Sequence, residues 1–230
     1  MELVVVEGPE EAARAAADRL VRVAREGGHV ALPGGSTPRR AYELAAWLEP
    51  DWHRAEIWFG DERCVPPDDP RSNYRLVRES LLDALARLPA AGHRIRGELD
   101  PVEAAAQYEA ELNGTTLDLA LLGLGPDGHT ASLFPGSPAL EETERLVVAT
   151  DPGLEPTVTR VTLTIPALST ARQVVFLAVG DEKAEAAERA FGGKPDPGTP
   201  ASLVRSREGE TVAILDRAAA LRLTQAAATS

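Results

Sequence analysis

The chain predicts an α/β fold, a doubly wound, mostly parallel sheet with helices on both faces. Three observations lead there. Strand-like and helix-like segments alternate from end to end of the 230 residues. Leu117 to Leu122 reads as a strand buried on both faces, as a parallel sheet requires. Glycine-hinged turns, Pro33 to Pro38 and Gly123 to Gly128, each follow a strand, where open α/β sheets hold their ligands.

Glu2 to Val6 is a short β-branched run and the first strand. From about Pro9 to Arg25, residues Ala13, Ala16, Leu20, Val23 and Ala24 recur at helical spacing. His29 to Leu32 is the second strand, and Pro38 to Leu48 its helix. Glu56 to Phe59 is the third, followed by a long loop and a helix from Ser72 to Leu88. Pro101 to Leu112 is helical and leads into the strand at Leu117. Beyond it, Arg145 to Ala149, Arg160 to Ile165 and Val174 to Val179 are strands. Glu182 to Ala190 is a helix, and Thr211 to Leu215 a last strand before a short C-terminal helix. The Pro/Gly-rich stretch Gly192 to Pro200 is short, and the same sheet needs the strand after it. Residues 1–230 are therefore expected to form one domain.

Composition narrows the class. With 43% hydrophobic and 26% charged residues, the chain is that of a soluble globular protein. No apolar stretch approaches the roughly 18 residues a membrane span needs, and Glu2-Leu3-Val4-Val5-Val6 is no signal peptide. The single cysteine, Cys64, excludes an internal disulfide framework, so the cytoplasm is the expected compartment. A net charge of −12 without a basic block repels nucleic acid, yet a few cations inside one cleft suffice for a phosphorylated metabolite. Arginine far outnumbers lysine and Asn and Met are scarce, which fits a thermophile and a GC-rich genome equally. The oligomeric state is left open, with room for a homo-oligomer.

Leu32-Pro33-Gly34-Gly35-Ser36-Thr37-Pro38 joins a strand to a helix. Two glycines permit a sharp turn and close backbone approach. Ser36 or Thr37 can cap the helix, with Pro38 at its first position. The free N–H groups and helix dipole then face an anion. Gly123-Leu124-Gly125-Pro126-Asp127-Gly128 matches the dinucleotide fingerprint G-x-G-x-x-G. It lies mid-chain, however, and Asp127 projects negative charge where a pyrophosphate would sit. An acid and an imidazole, Asp127 and His129, on one turn suit proton transfer better. His29, His53 and His93 show no metal-ligand spacing, so no metal site is expected, and Cys64 reads as a buried small hydrophobe.

These segments together resemble the family of glucosamine-6-phosphate isomerases and 6-phosphogluconolactonases, nearly end to end and on the lactonase side. The resemblance rests on Leu32 to Pro38, Phe59-Gly60-Asp61-Glu62-Arg63, Ser72-Asn73-Tyr74 and Gly123 to Pro135. It continues in Arg160-Val161-Thr162-Leu163-Thr164 and Gly180-Asp181-Glu182-Lys183. It implies a Rossmann-like fold and hydrolysis of 6-phospho-D-glucono-1,5-lactone to 6-phospho-D-gluconate in the pentose phosphate pathway. The substrate is then a small phosphorylated sugar lactone. A lactone is an activated ester; its hydrolysis asks for a nucleophilic water, a stabilised oxyanion and a protonated leaving oxygen, with no cofactor. His129 is the candidate general base, and Asp127 orients it or offsets its charge. Gly34, Gly35, Ser36 and Thr37 match the family's phosphate loop, and Arg160 and Lys183 its phosphate-binding cations. Arg63 pairs with phosphate or steadies the oxyanion, Asp61 bonds sugar hydroxyls, and Asn73 makes hydroxyl contacts or caps the following helix.

Two rival readings accompany this one. In the isomerase and deaminase branch an acid follows the histidine by five positions, where this chain has Phe134, and an aromatic residue stands where it has Arg63. Regulators of this fold that sense sugar phosphates carry a DNA-binding segment ahead of the first strand, which here begins at residue 2.

Overall fold

A computed structural model describes residues 1–153 and 157–228. In chain order the elements begin β1 (Glu2–Val6), α1 (Pro9–Glu26), β2 (Gly28–Leu32), α2 (Ser36–Leu48) and β3 (Ala55–Phe59). Next come β4 (Asp61–Arg63), α3 (Asn73–Ser80), β5 (Ala91–Gly92), α4 (Pro101–Leu112) and β6 (Leu119–Gly123). The series continues with β7 (Val147–Thr150), β8 (Arg160–Leu163), α5 (Ile165–Ser169) and β9 (Gln173–Ala178). It ends with α6 (Ala184–Ala187), β10 (Glu210–Asp216) and α7 (Leu221–Ala228). Among the described residues, no helix is long and apolar enough to cross a membrane.

The main sheet has the order β1-β10-β9-β6-β2-β3-β5 and is parallel throughout, flanked by helices. This is the doubly wound arrangement expected. From β2 the chain winds outward through β3 to β5, then returns to β6 beside β2 and winds the other way. The β2/β6 boundary is thus the switch point, where a crevice opens beyond the strand ends. The central strands are sealed on both sides: Leu119 to Leu122 and Val174 to Leu177 are all buried. That explains their unbroken apolar sequences.

Among the named strands, antiparallel pairing is confined to a separate three-stranded sheet, β4-β8-β7. Neither β4 nor the two-residue β5 announces itself in sequence. Residues Asp61 to Arg63 are extended because they pair with β8, not because they alternate in hydrophobicity. Several expected boundaries move. The strand at Arg145 is displaced to Val147–Thr150, and the one at Arg160 ends at Leu163, after which Thr164 caps α5 through Ala167 N–H at 3.3 Å. The helix foreseen from Ser72 to Leu88 stops at Ser80, whose hydroxyl donates back to the Leu76 carbonyl at 2.6 Å. Glu182 to Ala190 is not one helix but a 3₁₀ turn, α6 and a π-turn.

Beyond the two residues that β5 pairs, the flank of β3 is closed by a side chain. Tyr108 of α4, fully buried, accepts the Phe59 N–H at 2.7 Å and donates to the Phe59 carbonyl at 3.0 Å. On the other side of β3, Gly60 N–H donates to Leu32 of β2 at 3.1 Å.

Candidate active site

The strand β2 ends at Leu32, and the chain turns into α2 through Gly34 and Gly35. Gly35 occupies the N-cap position with φ +94°, a backbone conformation that side chains resist. No side chain caps this helix, so the expectation that Ser36 or Thr37 would do so is corrected: both lie inside its first turn. The orphan N–H groups of that turn stay available at the crevice. Beside it, the turn after β6 runs from Gly123 to Phe134. Both turns line one cavity of about 210 Å³, together with Asp61, Arg63, Asn73, Arg160 and Lys183. The loop at Gly34 to Thr37 and His129 therefore converge at the switch point.

His129 is presented with its orientation set. Asp127 Oδ1 accepts the backbone N–H of His129 at 3.1 Å and faces its Nδ1 at 2.6 Å. Burial works to raise the Asp127 carboxyl, but the hydrogen bond and charge of His129 outweigh it and hold the group below the ordinary carboxylate range. An ionised carboxylate only accepts, so the hydrogen at Nδ1 faces Asp127, and in the neutral ring the lone pair is then on Nε2. Asp127 itself does not line the cavity; it stands behind the imidazole, acting as turn-former and partner at once. Gly125 makes the arrangement fit: a Cβ at that position would overlap the His129 ring. Gly125→Ala is therefore expected to displace the imidazole and lower kcat by about 10²-fold or more, with a thermal midpoint close to the parent's. Steady-state assays beside thermal melts check this.

The charged residues of β4 do not form a solvated cluster. Asp61, only 5% exposed, accepts from Ser132 Oγ at 2.6 Å and from Asn73 Nδ2 at 3.1 Å. Asn73 also donates to the Asp61 carbonyl at 2.8 Å, leaving its own Oδ1 buried without a partner among the described residues. Asn73 does not cap α3; Ser72 does, accepting Arg75 N–H at 3.2 Å. Glu62 is buried and accepts four donors, from Arg63 N–H, Asn73 N–H, Tyr74 N–H and the Ser72 hydroxyl, at 2.7 to 3.0 Å. Burial pushes the Glu62 carboxyl up, against these four donors.

The register of β4 with β8 sets Arg63 directly opposite Arg160. Like charges facing across a strand pair are unfavourable. Burial, then the neighbouring Arg63 charge, lowers the Arg160 guanidinium from its usual value. The two opposed guanidiniums concentrate positive charge on one cavity wall. Lys183, at the end of the 3₁₀ turn after β9, adds a third cation and makes no ion pair among the described residues. Sequence reasoning did not single out Glu62, Ser132 or the Arg63–Arg160 pairing. All three depend on β4 meeting β8 and α3, and only tertiary contact creates that. Among the described residues, no three His, Cys, Asp or Glu side chains converge for a metal ion.

Comparison with known proteins places this geometry. Residues 7–213 match the family model "Glucosamine-6-phosphate isomerases/6-phosphogluconolactonase". The 6-phosphogluconolactonase of Streptomyces coelicolor is 36% identical over 96% of this chain and 94% of its own. The human 6-phosphogluconolactonase is 38% identical over 84% of this chain and 74% of its own. The solved 6-phosphogluconolactonase of Trypanosoma brucei superposes with a TM-score of 0.85 at 29% identity, covering 96% of this chain and 98% of that one. With a family model spanning nine-tenths of its length and a relative 36% identical over 96% of it, this chain belongs to the glucosamine-6-phosphate isomerase/6-phosphogluconolactonase family.

Proposed function

We propose that the chain is a lactonase that hydrolyses 6-phospho-D-glucono-1,5-lactone to 6-phospho-D-gluconate, with His129 as general base. One observation carries the reading: an imidazole held at Nδ1 by Asp127 and a phosphate-sized cluster of donors and cations line the same cavity. Relatives named 6-phosphogluconolactonase support it.

The phosphate lies at the N-terminus of α2, against Gly34, Gly35, Ser36 and Thr37, with Arg160 and Lys183 as counter-charges. The lactone carbonyl then lies toward His129. Its Nε2 removes a proton from water as the oxygen attacks C1, and Asp127 stabilises the imidazolium. Arg63 adds positive charge to the anionic part of the ligand, while Asp61 and Asn73 meet its hydroxyls. When the tetrahedral intermediate collapses, the C1–O5 bond breaks, and the imidazolium holds the proton that the departing ring oxygen needs.

A pH-stat assay on freshly prepared lactone, set against its spontaneous hydrolysis, tests the reading. Acid release at the spontaneous rate, with 6-phosphogluconate still bound, would turn the protein into a sensor. Ammonia release from glucosamine 6-phosphate would move it to the isomerase and deaminase branch. Arg160→Ala and Lys183→Ala are each expected to raise KM by about tenfold or more, the worth of one charge-assisted contact. A KM at the parent value clears the substituted residue of phosphate contact.

A further inference from the structure

Phe134 does not line the cavity, yet it touches two groups that do. Its ring centroid is 4.6 Å from that of His129, with the planes tilted by 45°. The Arg160 guanidinium carbon lies 5.3 Å from the same centroid. Phe134 is buried, and Gly153 presses on it so closely that a Cβ there would overlap the ring. The ring is clamped, with one permanent cation and one intermittent cation against it.

We infer that Phe134 is a positioning residue that seats the His129 imidazole and sustains the basicity that proton removal needs. The inference rests on the reading of His129 as the base. An aromatic ring attracts a cation within about 6 Å of its centroid. It therefore favours the imidazolium formed when water is deprotonated. The other charges around His129 fall into two groups. Asp127 on its own turn and Asp61 across the cavity favour the protonated ring. Opposing it are Arg160 and Arg63 from the β4–β8 pair, Lys183 beyond β9, and Arg189, which donates to the Pro126 carbonyl at 3.3 Å. Removing the ring abolishes this attraction. Its loss lowers the basicity of His129.

Two variants of the full-length protein test this: Phe134→Leu, and Phe134 replaced by pentafluorophenylalanine, which keeps the ring's outline while reversing its quadrupole. The readouts are the NMR titration of the His129 imidazole, assigned by its loss in His129→Gln, and the acid limb of the kcat–pH profile. Both should move to lower pH by about half a unit in each variant. A purely space-filling role would lower kcat without moving either curve, and an unmoved titration in the fluorinated variant overturns the proposal. The fluorinated variant also decides the matter should Phe134→Leu fail to fold. If His129→Gln keeps the parent kcat, the general-base reading fails instead, and the NMR titration still reports on Phe134.

Discussion

His129→Ala is expected to lower kcat by about 10²–10⁴-fold, the usual contribution of a positioned general base, while the protein keeps its fold. The turn does not depend on the imidazole. Gly125 N–H donates to the His129 carbonyl at 2.8 Å, and the His129 N–H donates to Asp127, and both bonds survive the substitution. Asp127 loses a partner but remains partly exposed, with 29% of its side chain accessible, so water can replace the ring. Phosphate binding is untouched, and KM should stay within a few-fold of the parent. Added imidazole should restore part of the rate, because the space it left opens to the cavity. Unchanged turnover in this variant removes His129 from the mechanism.

Glu62→Ala carries the second large effect, on stability. Its carboxylate accepts three backbone N–H groups and one hydroxyl where β4 approaches the start of α3. Truncation strands those donors in a buried site, at a cost of about 3–5 kcal/mol, or about 10 °C in Tm for a chain of this size. Glu62→Gln recovers only part, because its amide nitrogen meets donors where the carboxylate met none of its own kind. Burial raises the Glu62 carboxyl above its unfolded value, so the folded chain binds that proton more tightly. The native state therefore loses stability as pH rises from about 4.3 through the raised value, and the loss is complete above it. Thermal melts of parent and variants across that range measure both effects. A Tm within 2–3 °C of the parent's would show that water satisfies the four donors.

The main sheet and its helices could be read from the sequence because strands buried on both faces and amphipathic helices leave unmistakable patterns. Pro101–Leu112 appears as foreseen, with Pro at its first turn and Asp100 capping through Val102 N–H at 3.0 Å. The glycine turns were legible for the same local reason. The small β4-β8-β7 sheet was not. Asp61-Glu62-Arg63 has the composition of a loop, and only pairing with Arg160-Val161-Thr162 makes it a strand. The candidate site residues were found by motif, but what holds them was hidden. The contacts from Ser132 to Asp61 and from Phe134 to Arg160 join residues far apart along the chain. Residues 154–156 lie between two expected strands and outside the described residues.

The phenol of Tyr108 has a consequence beyond local bonding. By occupying both hydrogen-bonding groups of Phe59, a residue 49 positions away, it denies that last stretch of β3, beyond the reach of β5, to any foreign β-chain. The same anchor fixes the direction in which the backbone departs toward Gly60. The aim of the Asp61–Arg63 charges into the crevice is thus governed by a helix that never reaches it.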